Sequence, residues 1–423
     1  MSDRPCNAGE EAARLDKEDP LASFADEFHF PSDVNGRKLV YLAGHSLGLA
    51  PRRAAALIEE ELSGWRALGV LGHHQGLRPW ISYHEQLAEP LAHLTGSQAN
   101  EVVAMNSLTI NLHLMMVSFF RPEGRRSKIL IEQSAFPSDR YAVLSQLKFH
   151  GLSERDLVEV APRRGERLLR NADVLEAIER NAGELALLLL PGVQYLSGQR
   201  LDLAPLITAG RRVGAAVGVD LAHAIGNTPL ELHDWNADFA VWCSYKYLNA
   251  GPGAVGGCFV HERHANGKLP RFAGWWGHDK EARFMFEPGF RPIAGAEGWQ
   301  VSNPPIFSTA PLIASLELFE RAGMARLREK SLALTAFLRQ LIESRLAGRI
   351  DIITPSAPGE HGSQLSLRVL KSPADARRYQ EALSADGLIA DWREPDVIRM
   401  APTPLYNSFS DVLTAVDMLE RTL

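Results

Sequence analysis

A lysine in Ser244-Tyr245-Lys246-Tyr247-Leu248-Asn249-Ala250-Gly251-Pro252-Gly253 stands between an apolar run and a glycine-rich turn, and Asp220-Leu221-Ala222-His223 follows another apolar run. The amine of such a lysine can form a Schiff base with pyridoxal phosphate, and a carboxylate beside the ring nitrogen would keep that nitrogen protonated, because a nearby anion favours the charged form. A protonated ring is the better electron sink. For Asp220 or Lys246 alone, a helix cap or a solvated side chain is the commoner explanation. Their joint setting favours chemistry.

The runs Ala215-Ala216-Val217-Gly218-Val219 and Phe239-Ala240-Val241-Trp242-Cys243 have strand length and β-branched or aromatic content. This predicts both functional residues at the carboxyl ends of strands in one sheet, where open α/β sheets bind their ligands. Further strand-like runs at 102–105, 129–131, 158–160, 185–190 and 255–260 alternate with helical patterns such as 51–68, 171–181 and 204–213. The alternation predicts a large, mainly parallel sheet domain with helices on both faces, over residues 51–305. After Pro304-Pro305 the pattern becomes a long helical stretch through Glu343, then strands at 350–353, 364–369 and 397–400 with helices at 374–383 and the C-terminus. That reads as a smaller α+β domain over 306–423, with residues 1–50 contributing to it and to the active site.

A phosphate needs an anchor. Leu108-Thr109, opening a helix over 110–120, offers free N–H groups, the positive end of the helix dipole and a hydroxyl. Arg399, within Val397-Ile398-Arg399-Met400, is an arginine in an apolar strand that needs a partner, and its planar fork suits a substrate carboxylate.

Asp220 to Asn227, Leu232-His233-Asp234-Trp235 and Trp242 to Gly251 closely resemble the kynureninase family of fold-type I pyridoxal-phosphate enzymes, related to the class V aminotransferases. Matches recur at 44–48, 78–80, 111–114, 136–139, 274–278, 302–305 and 399–409, so the resemblance runs from about residue 15 to the C-terminus. It implies a cofactor site formed by Leu108, Thr109, Phe136, Pro137, Ser138, Asp139, Asp220, His223, Tyr245, Lys246, Trp275 and Asn303. In it Phe136 covers the ring face, Asp139 nears its polar edge, Asp220 meets the pyridine nitrogen, and Tyr245 and Trp275 reach the phosphate. Ser46, His73, Asn303 and Arg399 are the implied substrate contacts, with Arg399 on the α-carboxylate and His73 and Asn303 at the aromatic ring. His45 stands where relatives usually carry asparagine, and Pro191 where some carry a small polar residue.

The implied reaction is hydrolysis of L-kynurenine or L-3-hydroxykynurenine to L-alanine and anthranilate or 3-hydroxyanthranilate, in tryptophan catabolism or NAD biosynthesis. Lys246 would move the α-proton, with Asp220 supporting the ring and Tyr245, its phenol tuned toward neutral pH, relaying protons. A polar pair at His73 and Asn303 suggests a preference for the 3-hydroxylated substrate. The same fold also hosts cysteine desulfurases and aminotransferases, and a non-catalytic scaffold is the alternative outside enzymes. By resemblance the enzyme is a homodimer with shared active sites.

Composition bounds the rest. The 423 residues are 45% hydrophobic and 23% charged, as in an ordinary globular protein with room for two domains. A formal charge of −6 gives no basic footprint for nucleic acid or membrane, leaving small molecules as the expected partners. Cys6, Cys243 and Cys258 lack metal-ligand spacing and no metal is expected; three unclustered cysteines suit a reducing compartment. With no membrane-length apolar run and no signal-peptide core in residues 1–14, the expected location is the cytoplasm.

Overall fold

The computed structural model describes residues 8–266, 268–285 and 288–422. Seven strands form the main sheet: β1 (Val102–Ala104), β2 (Lys128–Glu132), β3 (Leu157–Val160), β4 (Leu185–Pro191), β5 (Ala216–Asp220), β6 (Phe239–Trp242) and β7 (Gly257–Val260). Their spatial order is β1-β7-β6-β5-β4-β2-β3. β3, β2, β4, β5 and β6 run parallel, as the alternating pattern predicts, whereas β7 is antiparallel to both β6 and β1. A parallel return needs a long crossover, usually a helix. Between β6 and β7 there is only the lysine loop, so the chain comes back antiparallel and the sheet is mixed at that edge.

Both faces are covered. Leu188 and Leu190 of β4 join one apolar cluster with Val217, Val219 and Trp242, while Leu187 and Leu189 join the opposite cluster with Ile129, Ile131 and Val241. This is the two-residue alternation of a strand buried on both sides, and it explains why the runs read as continuously apolar.

The long helical stretch after residue 305 is two helices, Ile306–Ala322 and Met324–Arg345, parted at Gly323 with φ 77°. Glycine adopts that conformation without a Cβ penalty and ends the first helix. Leu312, Leu316 and Phe319 of the first helix pack into the large core, whereas Leu334, Leu338 and Leu341 of the second pack into the small one. Leu327, near the start of the second helix, still joins the large core, so the change from one core to the other falls inside that helix.

The small sheet holds β8 (Ile350–Ile352), β9 (Leu365–Val369), β10 (Asp391–Arg393) and β11 (Val397–Met400), in the antiparallel order β8-β9-β11-β10. The N-terminal segment bridges the two cores. Ala12 and Leu42 belong to the small one, Leu21, Phe28 and Leu49 to the large one, and the turn at 43–48 passes between them. Among the described residues, no helix is long and apolar enough to cross a membrane.

Candidate active site

Asp220 ends β5, 8% exposed, and its Oδ1 accepts the Ala222 N–H at 2.7 Å. Lys246 lies on the loop after β6, which is pinned by hydrogen bonds from Ala250 N–H to the Ser244 carbonyl and from Asn249 N–H to that of Lys246. A third comes from the N-terminal turn, where Gly48 N–H donates to the Tyr245 carbonyl at 2.8 Å. The approach is close enough that a Cβ on Gly48 would meet the Lys246 carbonyl oxygen at 2.4 Å.

A cavity of about 250 Å³ opens over the carboxyl ends of β2, β4 and β5, in the position expected of an α/β ligand site. Leu108, Thr109, Phe136, Ser138, Asp139, Asp220, His223, Tyr245 and Lys246 all line it. Pro137 instead starts the helix Pro137–Phe149, where its fixed φ is pre-set and its missing N–H costs nothing. At one end of the cavity the helix Leu108–Phe119 begins, and the Thr109 and Ser138 hydroxyls lie 2.8 Å apart. Lys246 Nζ stands 5.8 Å from the Phe136 ring centroid and 5.9 Å from that of Tyr245. Phe136 is braced edge-on by Tyr195, with centroids 5.2 Å apart.

Several lining residues carry no mark in the sequence analysis, among them Glu132 and Tyr195. Glu132 had a readable signal: like Asp220, it is a carboxylate closing an apolar strand. Tyr195 had none, since it lies in an irregular loop. Burial pushes Glu132 up to about 8, and burial together with Asp220 raises the Asp139 carboxyl well above the usual range. Asp139 Oδ1 has no hydrogen-bond partner among the described residues. Three carboxyls around one cavity, one with an orphaned oxygen, fit a cationic ring nitrogen, and the helix start with its two hydroxyls fits a phosphate. The residues present fit pyridoxal phosphate.

His223 and His45 are buried, and burial with the neighbouring Lys246 and Arg399 charges holds both imidazoles well below their usual range. They are neutral, and neither ring nitrogen of His45 has a hydrogen-bond partner among the described residues. Tyr245 lines the same cavity. Burial, then the Cys243 thiol, push its phenol upward, away from neutral pH, so it holds its proton and can serve as a donor.

The predicted substrate residues divide. Arg399 is 1% exposed in β11, its Nη1 donating to the Tyr195 carbonyl at 2.5 Å and its Nη2 to Ser46 Oγ at 3.4 Å, just behind the cavity wall. Its guanidinium lies 6.0 Å from the Tyr195 ring. By contrast, His73 and Asn303, and Trp275, expected at the phosphate, do not line the cavity. His73 packs edge-on against Trp80, and Trp275 is half-exposed with its indole N–H given to the Arg283 carbonyl at 2.9 Å. Asn303 is exposed and borders a neighbouring cavity that shares Tyr245.

A sheet-end lysine and aspartate under a smaller α+β domain define a fold-type I pyridoxal-phosphate enzyme. The fold is similar to that of the cystine C–S lyase C-DES (TM-score 0.75, 19% identity, 90% of this chain and 97% of that one). It is also similar to a cysteine desulfurase from Thermococcus onnurineus NA1 (TM-score 0.73, 17% identity, 97% of each chain). Kynureninases of Myxococcus xanthus and Koribacter versatilis are 56% and 53% identical, over 97% and 95% of this chain and 96% and 94% of theirs, and residues 327–419 match the kynureninase C-terminal domain. The chain belongs to the kynureninase family.

Proposed function

We propose that this enzyme hydrolyses the Cβ–Cγ bond of L-kynurenine and L-3-hydroxykynurenine, one water being consumed, to give L-alanine and anthranilate or 3-hydroxyanthranilate. The observation that carries this reading is the meeting of Lys246 and Asp220 in one cavity of a kynureninase-family chain. Pyridoxal phosphate, when bound, supplies an electron-withdrawing ring that takes up the electrons released at the substrate's α-carbon.

Lys246 Nζ takes the α-proton and returns it. Asp220, held by the Ala222 N–H, would hold the proton on the ring nitrogen, and Phe136, lining the same cavity, would pack on the ring. Tyr245, protonated, donates to the ketone oxygen as water adds and regains a proton from that water, then gives its proton to the departing three-carbon fragment while taking the hydrate's O–H proton as the Cβ–Cγ bond breaks. Arg399, with Ser46, holds the α-carboxylate through its fork.

The 3-hydroxylated substrate is preferred, through His73 and Asn303. Both lie outside the cavity of a single chain, which supports a homodimer in which a second copy brings such residues to the aromatic ring. One added hydrogen bond discriminates by about threefold to a hundredfold in kcat/KM. Fluorescence of the released product, with each substrate in turn, measures it. Equal kcat/KM, or a preference unmoved by Asn303→Thr with His73→Phe, contradicts the selectivity. The pathway served is tryptophan catabolism, with 3-hydroxyanthranilate leading toward NAD, in the cytoplasm.

A cysteine desulfurase needs an accessible, easily ionised thiol. Cys243 and Cys258 are buried with their thiols pushed up, and Cys6 lies outside the described residues.

A further inference from the structure

Arg399 does not stand alone at its end of the site. Asp391 is its register partner across the β10–β11 pair, so the backbone ladder fixes the two side chains next to each other. Asp391 Oδ1 accepts from Arg399 Nε at 2.9 Å and lies 2.6 Å from Nη2, taking one whole edge of the guanidinium. Through Oδ2 the same carboxylate accepts the Ser46 hydroxyl and an Arg393 Nη2 N–H at 3.2 Å, and its Oδ1 is ion-paired with Arg393, 3.0 Å from Nε. Arg399 Nη1 spends one N–H on the Tyr195 carbonyl of the large domain.

A guanidinium has five N–H groups in a rigid plane. With Nε and one Nη2 hydrogen turned to Asp391, the other Nη2 hydrogen to Ser46 Oγ at 3.4 Å and one Nη1 hydrogen to Tyr195, one Nη1 N–H is left over, and the long Ser46 bond leaves the second Nη2 hydrogen exchangeable for a carboxylate oxygen. Those are the pair a carboxylate grips end-on in bidentate fashion. Unheld, Arg399 and Arg393 would be two cations side by side, each with long-chain rotamer freedom to lose on binding.

We propose that Asp391 is the positioning residue of the α-carboxylate site. It locks Arg399 and Ser46 in the geometry that receives the substrate, and its charge keeps Arg393 from repelling Arg399. It acts through Arg399 and does not touch the substrate. This rests on the reading of Arg399 as the carboxylate grip.

The test uses the holoenzyme with two ligands: L-kynurenine and its analogue lacking the α-carboxylate, bound as a competitive inhibitor. Asp391→Asn keeps the shape and removes the charge. The expected result is KM for L-kynurenine raised about tenfold to a hundredfold with kcat little changed, pyridoxal phosphate retained, and the inhibition constant of the analogue unmoved. Asp391→Glu restores part of the lost affinity. Unchanged KM, lowered KM (which would make Asp391 a competing plug), or equal weakening of both ligands overturns the proposal. Arg399→Lys run in parallel separates the two readings: it weakens L-kynurenine but not the analogue if Arg399 is the grip. If Arg399→Lys behaves so and Asp391→Asn does not, the positioning role alone fails. If Arg399→Lys leaves KM unchanged, both fail.

Discussion

Glu132, Asp139 and Asp220 share one cavity wall with Lys246, and their crowding has a measurable signature in pH. Glu132 rises from an ordinary 4.5 to about 8 because burial penalises its charged form. A raised carboxyl binds its proton in the folded state after the unfolded chain has released it. Its contribution to stability is therefore full below about 4.5 and lost as pH climbs through about 8. The cofactor-free protein should lose thermal stability across that window, and Glu132→Gln, neutral throughout, should flatten the loss. Thermal melts of both proteins at stepped pH check this; parallel profiles would place the ionisation elsewhere. Pyridoxal phosphate brings a cation to the same wall, so the loaded enzyme should show a smaller difference. Asp220 was readable in the sequence as the last residue of an apolar strand. Glu132 has the same placement but no lysine partner in a recognisable motif to single it out.

Among elements, the lysine loop depends on a turn nearly two hundred residues upstream in the chain. Gly48 is glycine because that turn presses on the loop backbone, where a side chain would collide with Lys246 and Asn249. Gly48→Ala should cost about 1–3 kcal/mol, as overpacking does, and should loosen the cofactor by shifting Lys246. A lowered melting temperature together with weaker retention of pyridoxal phosphate is expected; normal values for both would mean the loop tolerates the displacement. This contact also shows where sequence reading stops. The strands around Asp220 and Lys246 were legible to within about two residues, since an apolar run buried on both faces carries its own signal. β10 was not, because Asp391-Trp392-Arg393 is a short edge strand of half-exposed residues with no apolar run. The break at Gly323 hid inside a continuous helical pattern. Arg399 was visible as a charge in an apolar strand, but its partners Asp391, Ser46 and Tyr195 come together only through tertiary packing.

At the scale of the whole molecule, the cavity is lined by residues between Leu108 and Lys246, and His73 and Asn303, proposed for the substrate's aromatic ring, are not among them. A homodimer that completes the site should run at twice the chain mass in size-exclusion chromatography with light scattering. A monomer with full activity would contradict shared sites. The central claim is that the cavity holding Lys246 and Asp220 cleaves the carbon–carbon bond of a kynurenine. Its most direct test is the steady-state release of fluorescent anthranilate from L-kynurenine by the intact enzyme and by Lys246→Ala, each supplied with pyridoxal phosphate. The intact enzyme should release anthranilate and L-alanine in equal amounts, and the folded variant should be slower by about a hundredfold to ten-thousandfold, the range lost with a proton-transfer group. No anthranilate from the intact enzyme, or a variant as fast as its parent, would contradict the account.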